Sequence, residues 1–357
     1  MAEPIVLSVD GNKYDGWTGM NITHSLEDMA GGFTLSLTMK WPDAKARTIK
    51  QGTACTVKIG SDQVLAGYID DWIPSYDDKL VRLEVQGRSK TGDLVDCSLV
   101  QKTGQFNGLT FVDIAKRVCE PFSIDVVSEV DAGDKFGKVT VDQGETVFEF
   151  LDRLAKQRAF LLTTDAMGRL VITRASAVVL PVRLQLGVNI LAARGRFSMR
   201  DRASQYIVKG SSSAGGAAWD DVSPKQIGGK QTIVTDPEVT RYRPKIILSE
   251  DIATAGGSAM RGQWNKQRII GQSNQTEITV AGWRVNGEKG DLWSVNKRMR
   301  IIDELQGLDV TWLINTVMLV EDENQGRIAV LGFVPPEAMD LPALAERKKH
   351  TKTEATW

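Results

Sequence analysis

Residues able to do acid–base or nucleophilic chemistry are few in this chain, and they are scattered. There are two histidines, His24 beside the run FTLSLTM and His350 in a charged C-terminal stretch. A histidine-based triad or multi-histidine metal site has little to draw on, so both read as surface or turn residues. The three cysteines, Cys55, Cys97 and Cys119, are widely spaced and form no C-x-x-C pair. That spacing excludes a disulfide framework and argues against structural zinc; they read as buried free thiols from a reducing compartment. Carboxylate pairs occur at Asp70–Asp71, Asp77–Asp78 and Asp142 with Glu145. Glycosidases work with two carboxylates at set separations, but pairs of this kind are also ordinary turn chemistry. The pairs Gly31–Gly32, Gly215–Gly216, Gly228–Gly229 and Gly256–Gly257 lack the context of a phosphate-cradling loop and read as turns. Neither a cofactor, a metal nor a catalytic residue is expected.

Positive charge gives the denser signal. ARGRFSMRDR sets Arg194, Arg196, Arg200 and Arg202 around Phe197 and Met199, and RYRPK adds Arg241 and Arg243. Basic residues interleaved with aromatics can line a nucleic-acid groove. They also serve as a solvated strand edge or as a rim that meets an acidic neighbour. The net charge of −1 shows no global pull toward nucleic acid or anionic lipid. These six arginines are therefore the candidate interface residues, and a protein surface is the favoured partner.

A chain of 357 residues calls for two to four domains to present such residues. FTLSLTMK alternates perfectly, with Phe33, Leu35, Leu37 and Met39 on one face, and VRLEVQGR repeats the pattern with Val81, Leu83 and Val85. Short strands at this spacing make the first hundred residues a small antiparallel barrel or sandwich. Helical texture then appears: Phe111, Ile114, Ala115 and Val118 form one face, closed by Pro121. In the next helix Thr146 and Glu149 have capping-box spacing ahead of Val147, Phe150, Leu151 and Leu154. FLLTTDAMGRLVITR reads as a hairpin, so residues from about 100 to 180 make a small α+β domain. QYIVKG reads as a strand, SSSAGGAAWDD as a loop tip, and Ser258–Arg268 as a weakly amphipathic helix. Strands resume after Thr276. MAEPIVLSVDGNKYDG has no signal-peptide pattern, and no stretch approaches the roughly 18 apolar residues of a membrane helix, which points to a soluble product without membrane insertion.

Two windows repeat one another. Thr56–Arg88 and Met299–Val334 both run strand, turn, strand, apolar bend, acidic turn, strand. Leu65–Ile69 answers to Thr311–Ile314, and Asp77–Asp78 to the Glu321–Asn324 turn. On this reading the stretch Gly282–Glu321, which carries Trp283, Trp293 and Trp312, is the wall of a second barrel. Its tryptophans then serve the core or a subunit contact.

The order of segments resembles the baseplate hub proteins of Mu-like contractile-tailed phages, relatives of the late-control-D proteins and of the N-terminal part of VgrG spikes. The segments are the first barrel, "GETVFEFLDRLAKQRAFLLTTDAMGRLVITR", "QYIVKG", an insert with "RYRP", then "GWRVNGEKGDLWSVNKRMRIID". The resemblance spans about residues 3 to 340. It implies a mainly β fold with α+β inserts: two similar antiparallel β-barrel domains, an α+β domain and an inserted subdomain. The implied boundaries are 1–95 for the first barrel, 96–184 for the α+β domain, and 185–215 with 274–338 for the second barrel. Residues 216–273 form the subdomain, and 339–357 a polar tail. It further implies a homotrimer whose six barrels ring a channel that passes DNA, in a virion baseplate assembled in host cytoplasm. The partners implied are a separate central spike protein and the tail tube or a tube-end protein, with tape-measure and baseplate wedge proteins beyond. A hub with muralytic activity and the base of a type VI secretion-like spike are the alternative readings.

Overall fold

The computed structural model describes residues 3–40, 49–101, 104–210, 231–249, 255–287, 290–322 and 324–340. The loop reading at Ser211–Asp221, the glycine pairs at 215–216 and 228–229, His350 and nearly all of the polar tail lie outside them. The described residues begin with seven strands: β1 (Ile5–Val9), β2 (Asn12–Tyr14), β3 (Gly19–Ser25), β4 (Gly32–Lys40), β5 (Ala54–Ile59), β6 (Asp62–Tyr76) and β7 (Leu80–Ser89). The α+β segment follows as α1 (Gly92–Asp96), β8 (Gln105–Leu109), α2 (Phe111–Cys119), β9 (Val126–Ser128), β10 (Phe136–Thr140), α3 (Val147–Arg158), β11 (Leu161–Thr164) and β12 (Leu170–Thr173). Next come β13 (Val179–Gln185), β14 (Ala192–Phe197), β15 (Gln205–Gly210), β16 (Gln231–Thr235), β17 (Pro244–Ser249) and α4 (Ala255–Ser273). The last strands are β18 (Asn274–Ala281), β19 (Arg298–Asp303), β20 (Leu308–Asp322) and β21 (Gly326–Val334).

The fold is mainly β, and its two halves share one hydrogen-bonded sheet. The strand order is β14-β18-β21-β20-β3-β4-β7-β6-β5-β1-β2, with β19 also on β20 and β13 on β19. The join is the antiparallel pairing of β20 with β3, from Thr316 opposite Ser25 to Glu321 opposite Met20. β13 runs parallel to β19, so the second half is not purely antiparallel. One apolar core serves both halves, with Leu35, Val57 and Val85 of the first beside Ile278, Ile301 and Leu331 of the second. The alternation in FTLSLTMK is realised: Phe33, Leu35 and Leu37 are buried on β4, as are Leu83 and Val85 on β7.

The α+β segment has its own core around Phe111, Ile114, Phe150, Leu154 and Ile172. Both helices start as their sequences dictate. On α2, Thr110 and Asp113 form a reciprocal capping box. On α3, the Thr146 N–H donates to Glu149 Oε2 at 2.9 Å while the Glu149 N–H donates to Thr146 Oγ1 at 3.1 Å. β11 and β12 are the expected hairpin, and β12 also runs parallel to β9.

A second compact unit is built mainly from residues 197–274. Here β15 lies between β16, antiparallel, and β17, parallel. QYIVKG is therefore the centre of a separate three-stranded sheet, and it is not a strand of the large one. Helix α4 is longer than the expected Ser258–Arg268 at both ends. Its Gly262 sits so close to the sheet that an added Cβ would lie 2.7 Å from a Val234 methyl.

Candidate functional site

β6 and β20 hold equivalent places in two copies of one meander. Each is fifteen residues long and pairs with the strand before it and the strand after it. Each slips register once against the following strand, between Ile69 and Asp71 in β6 and between Ile314 and Thr316 in β20. The extra residues are Asp70 and Asn315. A bulge bends and twists its strand, which lets one long strand serve two directions of the sheet. Both bulge residues are held by polar contacts. Arg88 Nε donates to Asp70 Oδ2 at 2.8 Å and Arg88 Nη2 to Asp96 Oδ2 at 2.7 Å, which holds the guanidinium above its ordinary pKa. Asn315 donates to Glu27 Oε1 at 3.2 Å, and its carbonyl accepts the Leu26 N–H at 2.8 Å. Beside each bulge is a shallow concavity: one of about 530 Å³ with Asn21, Thr23, Asp70 and Asp71, and one of about 440 Å³ with Arg194, Arg196, Asn315 and Thr316.

The six candidate arginines do not form one cluster. Arg194 and Arg196 project from β14, where all six residues are exposed. Arg241 is exposed, and so is its neighbour Tyr242. Arg243 donates to the Arg200 carbonyl at 2.6 Å, and its backbone N–H donates to Ser204 Oγ at 2.9 Å, which ties two loops of the second unit together. Arg202 corrects the expectation of a surface role. It is 1% exposed and donates to both Asp236 carboxylate oxygens at 2.9 Å. Glu238 adds a third contact at 2.7 Å. Burial makes this pair part of the core of its own unit, beside Tyr206, whose hydroxyl accepts the Ala203 N–H at 3.1 Å.

The carboxylate pairs are engaged in local structure. Burial works to raise the pKa of Glu145, but Arg153, at 2.8 Å from both of its oxygens, holds it below the usual value. Asp77 accepts the N–H groups of Lys79 and Leu80, both at 2.8 Å, in a hairpin turn, and those bonds lower its pKa. A glycosidase acid needs the opposite shift. Of the thiols, Cys55 and Cys119 are buried, and burial pushes each up to about 12, whereas Cys97 is exposed. His24 is half-buried on β3, opposite Val317, rather than in a turn, and burial lowers its pKa.

The tryptophans of Gly282–Glu321 belong to the main core: Trp283, Trp293 and Trp312 are all buried there. Trp283 also donates to the Val320 carbonyl at 2.9 Å and lies under the Arg327 guanidinium at 4.4 Å. The sequence carries a sign of both sites in the polar residue that ends each long apolar run, VLAGYI-Asp70 and TWLI-Asn315. Those residues mark the bulges.

Three family models match successive parts of the chain. Residues 4–89 match the N-terminal domain of the Mu phage baseplate assembly protein GpP-like family, and residues 91–174 the second domain of the baseplate hub protein gp44-like family. Residues 254–342 match the fourth domain of Mu phage baseplate assembly protein GpP. The chain is 32% identical over 352 residues to the baseplate hub protein gp44 of Escherichia phage Mu, covering 98% of this chain and 92% of that one. The 43 kDa tail protein of prophage MuSo2 from Shewanella oneidensis superposes with a TM-score of 0.87 at 48% identity, covering 95% of this chain and all of the other. A tail protein from Neisseria meningitidis MC58 gives a TM-score of 0.81 at 21% identity over 96% and 100% of the two chains, a likeness of fold. The fold extends to an E. coli type VI secretion component at a TM-score of 0.56 and 11% identity, covering 96% and 79%. With a near-full-length relative of this identity, and with its own doubled meander, the chain belongs to the Mu-like phage baseplate hub protein family.

Proposed function

We propose that this protein is a structural, non-enzymatic hub of a contractile tail baseplate, and that three copies close into a ring around a central channel. The observation that carries the proposal is the duplication: one chain presents two equivalent meanders in a single sheet. Three such chains would supply six equivalent segments, a sixfold face for the tail tube on a body with the threefold symmetry of a spike. One segment comes from β1–β7 and the other from β13, β14 and β18–β21. The spike is a separate polypeptide on one side, and the tube or a tube-end protein lies on the other. Tape-measure and wedge proteins are further neighbours. Assembly takes place in host cytoplasm, and DNA crosses the channel in transit.

The engagement of Asp70 and Glu145 in ion pairs and of Asp77 in a turn supports a role without bond cleavage. Exposed Arg194, Arg196, Arg200 and Arg241 remain the candidate contact residues. The deciding measurement is the mass in solution by size-exclusion chromatography with light scattering. A species at about three times 39.2 kDa is expected. A monomer that persists at high concentration, and also after addition of the spike protein, would overturn the ring.

A further inference from the structure

Among the unpaired edges of the large sheet in the described residues, two are counterparts of strands that pair inside the chain, and the duplication says what belongs on each. Inside the chain, the stretch of β20 after its bulge pairs with β21 on one side and with β3 on the other. The equivalent stretch of β6, Asp71–Tyr76, pairs with β7 on one side only. It carries the exposed apolar side chains Ile73 and Tyr76, 45% and 81% accessible. On the opposite border, β14 stands on β18 as β3 stands on β4. β3 is covered on its far side by β20; β14 is uncovered, and Leu191 beside it is 60% exposed. Each unpaired edge is thus the counterpart of one strand of the β20–β3 seam.

We infer that β6 (Asp71–Tyr76) of one copy pairs antiparallel with β14 of the next, in the register of the β20–β3 seam, and that this strand addition closes the ring. The inference rests on the trimeric reading above and adds the contact and its register.

The register follows from matching residues. On the β6 side, Asp71 and Thr316 each follow the bulge, so Ile73 answers to Met318 and Ser75 to Val320. The meander pairings also set β4 on β18, with Leu35 answering to Ile278 and Ser36 to Thr279. On the β14 side, the Leu191 N–H donates to the Thr279 carbonyl at 2.9 Å, as the Thr18 N–H donates to the Ser36 carbonyl at 2.9 Å. Leu191 therefore answers to Thr18, which makes Arg194 answer to Asn21 and Arg196 to Thr23. The same residues line the two concavities in the same places. Within the chain Met318 faces Thr23 and Val320 faces Asn21. Between copies, Ile73 then faces Arg196 and Ser75 faces Arg194.

Chemistry at the edges agrees. The Asp77 N–H bonds to the Leu80 carbonyl, so alternate residues Trp72, Pro74 and Tyr76 direct their backbone groups to the unpaired side. Pro74 offers no N–H there, which makes this edge a poor template for a casual strand while leaving the other bonds to a matched one. Arg196 would have Asp71 as its diagonal neighbour on the same face, and Glu84 directly across from Ile73. Arg194 has Arg82 beyond Ser75 instead, so the attraction rests on Arg196.

Cross-linking tests the pairing. In a Cys97→Ser background, which removes the exposed thiol, Ser75→Cys and Arg194→Cys are combined in the full chain. Both positions are exposed, and they are opposed across a non-hydrogen-bonded site, where Cα atoms approach to about 4.5 Å and a disulfide fits. Mild oxidation should convert the double variant to reducible covalent trimers on a denaturing gel, with each single variant remaining at one chain. Arg196→Glu should weaken self-association about tenfold, and Arg194→Glu less. A trimer by light scattering that does not cross-link would overturn the strand pairing and leave the ring standing. Efficient cross-linking of Ser75→Cys to Ala192→Cys in place of Arg194→Cys would overturn the register. A monomer without cross-links at any concentration, and also after addition of the spike protein, would overturn both the pairing and the ring.

Discussion

At the scale of single residues, burial sets reactivity and space sets tolerance. Cys55 and Cys119 are enclosed and pushed up to about 12, so neither presents a thiolate near neutral pH. A maleimide at pH 7.5 should label one thiol per folded chain, and Cys97→Ser should abolish that labelling. His24 carries a pH dependence. The unfolded chain takes up its proton near 6.5 and the folded chain only at lower pH, because burial disfavours the imidazolium. Stability should therefore fall as the pH drops through 6.5 and go on falling until folded His24 is protonated. Urea denaturation of the wild type and of His24→Gln at pH 7.5 and 5.5 should show the smaller loss in the variant. Space is the issue at Gly67, where an added Cβ would lie 1.8 Å from the Arg88 carbonyl oxygen. Gly67→Ala should cost about 3 kcal/mol by forcing β6 away from β7. Gly137→Ala, in open space, should stay within about 0.5 kcal/mol of wild type in the same denaturation experiment.

At the scale of elements, what the sequence made legible was whatever depends on near neighbours. The face of α2, the Thr146–Glu149 cap, the β11–β12 hairpin and the alternation of β4 and β7 all follow from residues within about a turn or a strand of each other. Partner choice does not. QYIVKG buries Tyr206 and Val208 on alternate positions whichever sheet it joins, so periodicity could not place it between β16 and β17. The same limit applies to the arginines. Arg194 and Arg202 look alike as charges in a run, yet one projects from an edge strand and the other is enclosed by Asp236, which lies far along the chain. That distant partner predicts a large and conditional effect. Arg202→Ala leaves a buried, unpaired carboxylate and should cost about 3–5 kcal/mol, whereas replacing both partners with apolar residues, Arg202→Met with Asp236→Leu, should restore most of it. Chemical denaturation followed by hydrogen exchange of the β15–β17 amides would read both.

At the scale of the whole molecule, the shared sheet and the shared core make the two halves of the duplication one thermodynamic body. Two barrels on a linker would each bury their own apolar surface and could unfold in turn. Here the β20–β3 pairing continues the hydrogen-bond ladder across the join, and residues from both halves fill one cluster, so neither half completes its core without the other. Leu35 on β4 and Ile278 on β18 are equivalent, both fully buried, one in each half. Leu35→Ala and Ile278→Ala should each cost about 2–5 kcal/mol. If the halves form one body, each variant lowers the midpoint of the same transition, and the amides of β4 and of β18 lose protection together in either variant. If each variant instead loosened only its own half, the duplication would be a tandem of independent barrels. The join would then bend freely, and a seam that bends freely could not set the angle at which successive segments close into a ring.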